Sequence, residues 1–283
     1  MSQGPLVKTI RRPLRPFKRF YLKQRDALRF KNLLHPTDVF VVGHPKSGNT
    51  LMSYVLAIAV FKDFEKKINL ANINDYVPGI HFEDLAIETR RTFSRPRLFR
   101  NEVPIYSQLY PKTIYLIRDP RAVLVSYYHM YRTIFNDMAT TLRDFVDEYL
   151  RNGNIQRYEP QITRCDRQAS VWLERAERDE RIAIVKYEDM VKKKPETLKR
   201  ALAFAGIECP NELFSLILER SSFEAMRKTE EEFGEENYPG DMAKRGRFIR
   251  KGRISGWKEE LPPESAQAIE SEFGAVMKRA GYL

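Results

Sequence analysis

Short apolar runs alternate with longer helix-like stretches through most of this 283-residue chain. Runs rich in β-branched and aromatic residues predict strands at about 38–43, 113–117 and 182–186. The intervening stretches predict helices at about 48–61, 120–135, 141–151 and 166–178. Strands and helices that alternate in this way predict a single α/β domain, whose central parallel sheet is built from right-handed crossovers.

A glycine-framed loop joins the first predicted strand to the first predicted helix. The octapeptide Gly43-His-Pro-Lys-Ser-Gly-Asn-Thr50 keeps the frame G-x-x-x-x-G-x-[ST] of a phosphate-binding loop. Its backbone N–H groups and the helix start can hold an anion, which Lys46 can neutralise. Asn49 occupies the position at which nucleoside triphosphatases carry the lysine that reaches the β- and γ-phosphates. The loop therefore predicts one phosphate-like group and transfer of something other than a γ-phosphoryl group.

Two further segments contain residues suited to phosphate. Arg118 follows the apolar run 114–117, and Ser126 lies about two turns into the helix that Asp119-Pro120 begins. Near the C-terminus stands Arg250-Lys-Gly-Arg-Ile-Ser-Gly-Trp-Lys258. Arginine offers phosphate oxygens a planar fork, and a serine hydroxyl adds a neutral donor. Taken singly, the first segment could be an Arg-Asp helix cap with a buried serine, and the second a solvated basic face.

Together and in this order, the three segments resemble sulfotransferases that use 3′-phosphoadenosine 5′-phosphosulfate (PAPS), over roughly residues 37–260. The resemblance implies a basic N-terminal arm over 1–35 and a sulfotransferase domain over 36–283 with the phosphate-loop, nucleotide-kinase-like fold. It implies transfer of a sulfuryl group from PAPS to a hydroxyl or amine, with release of 3′,5′-bisphosphoadenosine (PAP) and without a metal. A catalytically inactive nucleotide-binding protein and a phosphate-loop nucleotide kinase are the alternatives.

The resemblance also implies roles for individual residues. The 5′-phosphosulfate would be bound by Lys46, Ser47, Gly48, Asn49 and Thr50. The 3′-phosphate would be bound by Arg118, Ser126, Arg250, Lys251 and Gly252. The adenine would contact Tyr187 and Phe223, and Leu51 replaces a tryptophan that often follows the loop threonine, so we expect a reshaped adenine pocket. The candidate catalytic residues are Lys46, Glu102 and Ser126.

The catalytic base has two candidates. Cytosolic sulfotransferases use a histidine in a Lys-Thr-His-x-Pro segment, and the stretch Arg100-Asn-Glu-Val-Pro104 carries Glu102 at that position. Some carbohydrate sulfotransferases are understood to use a glutamate, although Glu102 could equally form a surface ion pair with Arg100. His81 is the second candidate, because it lies in the region where family members often bind the acceptor.

Composition bears on location and partners. Residues 1–31 contain ten Lys/Arg against Asp26 alone, which is +9 of the formal net charge of +11. Their apolar residues at roughly helical spacing predict a helix that either packs on the domain or touches an anionic surface; these are Phe17, Phe20, Tyr21, Leu28 and Leu34. Two cysteines without a disulfide framework and no signal-peptide or membrane-spanning stretch predict a cytoplasmic protein.

The partner is expected to be a small-molecule, lipid or glycan acceptor. No nucleic-acid motif accompanies the charge, and the four histidines lack metal-ligand spacing. An aromatic pocket could be formed by Tyr76, Phe82, Tyr106 and Tyr110, whereas an anionic glycan would suit Arg90, Arg91, Arg95 and Arg97. The acidic and basic stretch 230–247 predicts a lid that orders over the 3′-phosphate. The oligomeric state stays open.

Overall fold

The computed structural model describes residues 26–79, 96–153, 163–234, 249–250 and 252–283. Four strands form one parallel sheet in the order β2-β1-β3-β4. The strands are β1 (Val39–Gly43), β2 (Leu98–Asn101), β3 (Lys112–Ile117) and β4 (Ile182–Lys186). The three predicted strands are confirmed as β1, β3 and β4, whereas β2 was not predicted. All five residues of β1 are buried, which explains why its sequence is continuously apolar.

Twelve α-helices surround this sheet in the described part of the chain. They are α1 (26–33), α2 (Asn49–Phe61), α3 (Ile73–Tyr76), α4 (Pro120–Phe135), α5 (Leu142–Asn152), α6 (Cys165–Ala176), α7 (Tyr187–Lys192), α8 (Lys194–Ala205), α9 (Asn211–Arg220), α10 (Phe223–Phe233), α11 (Trp257–Glu260) and α12 (Pro263–Arg279). The four predicted helices are present as α2, α4, α5 and α6, with ends within two residues of those predicted. No described helix is both long and apolar enough to cross a membrane.

The two faces of the sheet bury different apolar clusters. Val39 and Val41 of β1 pack with α2, α8 and α9 on one face. Phe40 and Val42 point to the other face, where they pack with α1 and α6. This alternation is the two-residue period of a strand, here covered on both sides. Since helices cover both faces of the sheet in the described part of the chain, we expect a binding site at the strand ends.

The N-terminal arm is described only from residue 26. Phe30 of α1 is buried and lies 5.8 Å from the ring of Tyr106 and 6.0 Å from that of Tyr110. Leu28, one of the residues at helical spacing, is 61% exposed, so the buried face of α1 is centred on Phe30 instead. Phe17, Phe20 and Tyr21 lie outside the described residues.

A buried ion pair fixes the junction between α1 and the sheet. Arg97 donates to Asp38 through Nε at 2.7 Å and Nη2 at 2.6 Å, and it also donates to the carbonyl oxygen of Leu33 at 2.9 Å. Arg97 is therefore committed to the core and not available to an anionic acceptor. Tyr110 is also a core residue, since it is buried and its ring stacks on Phe40 at 3.8 Å. Arg90, Arg91, Arg95 and Phe82 lie outside the described residues.

Candidate active site

A cavity of about 490 Å³ lies where the four strands end. Residues that follow each strand line it: Lys46 in the loop after β1, and, directly after the other strands, Glu102 after β2, Arg118 after β3 and Tyr187 after β4. The carboxyl edge of an open parallel sheet is the usual ligand site in α/β proteins, and this volume suits a nucleotide-sized molecule. The sheet thus assembles in one place residues that are far apart in the sequence.

The loop after β1 has the geometry of an anion site. Lys46 and Gly48 both have left-handed backbone conformations, with φ of 69° and 105°. A Cβ atom on Gly48 would lie 2.8 Å from Met190 Cε and 2.9 Å from Tyr187 Cδ2, so only glycine fits. Helix α2 begins at Asn49 without an acidic residue in its first turn, and no side chain in the described part of the chain caps it. Its free N–H groups and positive dipole end favour a negatively charged ligand.

The buried side chain of His44 holds this loop in place through contacts of both ring nitrogens. Its side chain is buried, Nδ1 lies 2.9 Å from the carbonyl oxygen of Pro45, and Nε2 lies 3.1 Å from the hydroxyl of Tyr149. Burial lowers the pKa of His44 to about 4, so the ring is neutral at pH 7. A neutral ring has one N–H, and the arrangement fits donation from Nδ1 to Pro45 and acceptance by Nε2 from Tyr149. His44 therefore shapes the loop without carrying charge.

Of the predicted loop ligands, Lys46, Gly48, Asn49 and Thr50 line the cavity. Ser47 does not line it. The Ser47 side chain is buried, and its backbone N–H donates to the carbonyl oxygen of His44 at 3.1 Å. In this structure Ser47 closes the turn of the loop, and the sequence frame alone did not reveal that difference.

Arg118 connects three parts of the cavity. Its Nη1 donates to the carbonyl oxygen of Lys46 at 2.8 Å, and its guanidinium carbon lies 4.1 Å from the centre of the Tyr187 ring. Its Nε is buried and has no hydrogen-bond partner among the described residues. A buried, unpaired N–H donor is costly, so this atom is one that a ligand would satisfy. Ser126, which belongs to α4, lines the same cavity.

The helix cap after β3 does not involve Arg118. Asp119 accepts from the backbone N–H of Arg121 at 3.0 Å, and Pro120 occupies the first turn of α4. Asp119 also forms an ion pair with the Arg121 side chain at 2.7 Å. The predicted helix start is confirmed. The alternative of an Arg118–Asp119 cap pair is not what the structure shows.

The C-terminal basic segment also contributes to this cavity. Arg250 and Gly252 line it, together with Phe223 at the start of α10. Arg250 forms an ion pair with Glu260 at 2.7 Å, and the second oxygen of Glu260 lies 2.6 Å from His129 Nε2. Lys251 lies outside the described residues, as does the stretch 235–248 that contains most of the predicted lid.

Glu102 stands at the end of the cavity next to the phosphate loop. Its Oε1 accepts a hydrogen bond from Asn49 Nδ2 at 2.9 Å. Arg100 instead donates to Asn74 Oδ1 at 2.8 Å, and no ion pair joins Glu102 to a cation in the described ranges. The predicted surface pair between Glu102 and Arg100 is therefore absent there. His81 lies outside the described residues, so its candidacy stays a prediction.

Several residues that line the cavity were given no site role from the sequence, and Lys194 and Trp257 are two of them. Lys194 lines the cavity and donates to the carbonyl oxygen of Ser221, and burial lowers its pKa. In the sequence it belongs to a run of three lysines, which is typical of a solvated face. Trp257 also lines the cavity and packs on the Arg121 guanidinium at 4.1 Å. Within the described ranges, no group of three or more His, Cys, Asp or Glu residues could hold a metal ion.

Comparison with known proteins identifies the family. The sulfotransferase domain family matches residues 36–281. An amine sulfotransferase of Oryctolagus cuniculus is 24% identical over an alignment of 259 positions that covers 85% of this chain and 81% of the relative. A 3-beta-hydroxysteroid sulfotransferase of Cavia porcellus is 27% identical over an alignment of 268 positions that covers 90% of this chain and 88% of the relative.

Solved structures agree on the fold. Retinol dehydratase in complex with androsterone and the inactive cofactor PAP has a TM-score of 0.65 at 22% identity, covering 90% of this chain and 85% of its own. A mouse sulfotransferase complexed with PAP has a TM-score of 0.63 at 21% identity, covering 91% of each chain. These likenesses confirm the predicted α/β fold. Because the family match spans nearly the whole chain, this protein belongs to the sulfotransferase domain family.

Proposed function

We propose that the cavity is the PAPS site of a sulfotransferase and that Glu102 is its catalytic base. The observation that carries this proposal is the convergence on one cavity of residues that follow all four strands, together with Arg250 and Gly252 of the C-terminal basic segment. A nucleotide bearing a phosphate group at each end requires positive charge and N–H donors at both ends of its site.

The described residues fit such a ligand. The uncapped start of α2, with Lys46 beside it, would hold the 5′-phosphosulfate. The unpaired Nε of Arg118, the Ser126 hydroxyl and the Arg250 guanidinium would hold the 3′-phosphate. Tyr187 and Phe223 would contact the adenine. Lys251, which the resemblance adds to the 3′-phosphate ligands, stays a prediction.

The chemistry assigned to the chain is positioning, charge neutralisation and one proton transfer. When bound, PAPS supplies an activated sulfuryl group. Lys46 stabilises the negative charge that develops on the departing oxygen, by analogy with phosphoryl transfer. Glu102 accepts a proton from the acceptor's hydroxyl or amine. The proton binds to Oε2, the carboxylate oxygen that Asn49 does not contact. Ser126 contributes through its hydroxyl at the 3′-phosphate.

The alternatives make different predictions. A phosphate-loop kinase requires the loop lysine that Asn49 replaces, and the family match does not favour it. An inactive nucleotide-binding protein would bind PAP without consuming PAPS. This second alternative is decided by turnover and not by binding.

For the acceptor, we infer a small molecule with a hydroxyl or amine. The names of similar proteins include an amine and a hydroxysteroid sulfotransferase, and a similar structure holds androsterone. Two free cysteines, one of them buried, support a reducing compartment such as the cytoplasm. Contact of the basic arm with an anionic surface stays a prediction.

The first experiment is calorimetric titration with PAP, 5′-AMP and ATP–Mg²⁺. PAP should bind at least tenfold more tightly than AMP, which assigns about 1.4 kcal/mol or more to the 3′-phosphate. Binding of ATP–Mg²⁺ but not of PAP would refute the proposal. Turnover of PAPS is then measured with a panel of 2-naphthol, androsterone, retinol and an aliphatic amine.

Three variants identify the base. Glu102→Gln should lower kcat by about 10²–10⁴-fold, the usual contribution of general base catalysis, while PAP affinity is retained. His81→Gln is the matched control and should keep kcat within about twofold. The reverse pattern would assign the base to His81. Lys46→Ala should lower kcat by at least about 10²-fold whichever residue is the base.

A further inference from the structure

Two unusual residues of the phosphate site are in direct contact. Asn49 occupies the position of the lysine in triphosphatase loops, and Glu102 occupies the position of the histidine in cytosolic sulfotransferases. They are 53 residues apart in the chain, yet Asn49 Nδ2 lies 2.9 Å from Glu102 Oε1. The contact exists because β1 and β2 pair in parallel with Val42 opposite Asn101, which brings the ends of both strands together.

The orientation of the Asn49 amide is fixed by its surroundings. Its Nδ2 faces three acceptors: the carbonyl oxygens of Gly43 at 3.1 Å and His44 at 3.4 Å, and the carboxylate of Glu102. Reversing the amide would turn an oxygen toward all three, which is unfavourable. The Asn49 Oδ1 atom is buried without a partner, and it lies 2.6 Å from where a Cβ on Gly43 would be. The N–H group that faces Glu102 therefore has no alternative orientation.

Glu102 is held at two points. Its backbone oxygen accepts from Gln168 Nε2 at 3.0 Å, and its Oε1 accepts from Asn49. Within the described ranges, Oε2 forms no hydrogen bond, and the side chain lines the cavity. A carboxylate with one oxygen anchored and the other facing the cavity is oriented for proton transfer.

We propose that Asn49 is a positioning residue for Glu102. This inference rests on the proposed function. Asn49 holds Oε1 so that Oε2 faces the acceptor, and because Asn49 is the first residue of α2, it ties the base to the helix start that holds the 5′-phosphosulfate. The base and the sulfuryl site then keep a fixed separation. A displacement of about 1 Å in such an arrangement can cost about 10²-fold in rate.

The test is a double-mutant cycle with Asn49→Leu and Glu102→Gln. Leucine is close to asparagine in shape and lacks the N–H donors. Asn49→Leu should lower kcat for PAPS consumption, measured with the panel acceptor that is turned over fastest, by about 10–10²-fold. In the Glu102→Gln background, the same substitution should change kcat by less than about twofold, because the group it positions is no longer a base.

A second readout separates positioning from a structural role in the loop. Asn49→Leu keeps the backbone N–H groups at the start of α2, through which the loop would bind the 5′-phosphate, so the Kd for PAP, measured by calorimetry, should change by less than about threefold. A loss of PAP affinity as large as the loss of kcat would overturn the proposal, since Asn49 would then act only through the loop. Equal kcat losses in the wild-type and Glu102→Gln backgrounds would also overturn it.

The proposal remains testable if Asn49→Leu does not fold. Asn49→Ala removes the amide that contacts Glu102 without adding bulk to the loop, so it should show the same kcat loss and the same retention of PAP. Failure of the proposed function gives a different result. The unaltered protein would then not consume PAPS at all, whereas failure of this inference leaves wild-type turnover intact with an additive cycle.

Discussion

The substitution Gly252→Ala adds one methyl group and so tests the geometry of the proposed nucleotide pocket. The backbone φ of Gly252 is +63°, and an ideal Cβ there would lie 2.2 Å from Cδ2 and 2.6 Å from Cε2 of the Phe223 ring. Real Cβ atoms do not approach other carbons so closely. In Gly252→Ala, either the Phe223 ring or the backbone at residue 252 therefore has to move.

The expected cost follows from the backbone conformation. A left-handed conformation costs a non-glycine residue about 1–2 kcal/mol. The free variant escapes this strain and the overlap by moving away from the wild-type geometry, and ligand binding has to reverse that movement. The affinity for PAP should therefore fall by about 1–2 kcal/mol, which is about 5- to 30-fold.

Gly256 provides the matched control. It lies four positions later in the same segment, its φ is −61°, and the nearest atom to its ideal Cβ is 3.6 Å away on Arg253, an ordinary contact. Calorimetric titration with PAP should give Gly256→Ala an affinity within about twofold of wild type. Unchanged affinity in Gly252→Ala would refute this reasoning, and so would equal losses in the two variants.

Three other substitutions test separate features. Leu51→Trp should tighten PAP binding by about 1 kcal/mol, or about fivefold by calorimetry, because Leu51 lines the cavity and an indole adds a face on which adenine can stack. If the affinity does not increase, the adenine does not lie next to residue 51. Burial lowers the pKa of His44 to about 4, so between that pH and the ordinary histidine value of 6.5 the unfolded chain binds a proton that the folded protein does not. The free energy of unfolding in urea should thus fall by about 3 kcal/mol from this group as pH drops from about 7 to 4, and equal falls in wild type and His44→Gln would contradict it. Arg97→Leu leaves buried Asp38 without its cation and should lower the free energy of unfolding by about 3–5 kcal/mol in urea; a loss below about 1 kcal/mol would exclude this role.

The sequence predicted those parts of the fold that have a strong local pattern. The central strands are continuously apolar because both faces are covered, and α4 starts at a local Asp-Pro signal. The edge strand β2 escaped prediction. It is only four residues long, its sequence Leu-Phe-Arg-Asn is half polar, and its pairing with β1 involves residues about 59 positions away.

The sequence predicted which residues belong to the site but not which of them contact one another. The Asn49–Glu102 hydrogen bond depends on the register of β1 against β2, and the Arg118–Lys46 bond depends on the neighbouring β3. Sheet register is a tertiary property, so neither contact has a local signal. Ser47 belongs to the phosphate-loop motif, yet its backbone N–H forms a hydrogen bond within the loop and its side chain does not line the cavity.

The uncapped start of α2 has a consequence for the lifetime of the protein in the cell. The first N–H groups of this helix have no side-chain partner, so a bound anion would satisfy them and stabilise the helix start. A ligand that binds only the folded state at 100 times its Kd adds about 2.7 kcal/mol to the stability. The unfolded fraction that proteases can attack would then fall about 100-fold when the site is filled, so the ligand supply would set how long the protein survives.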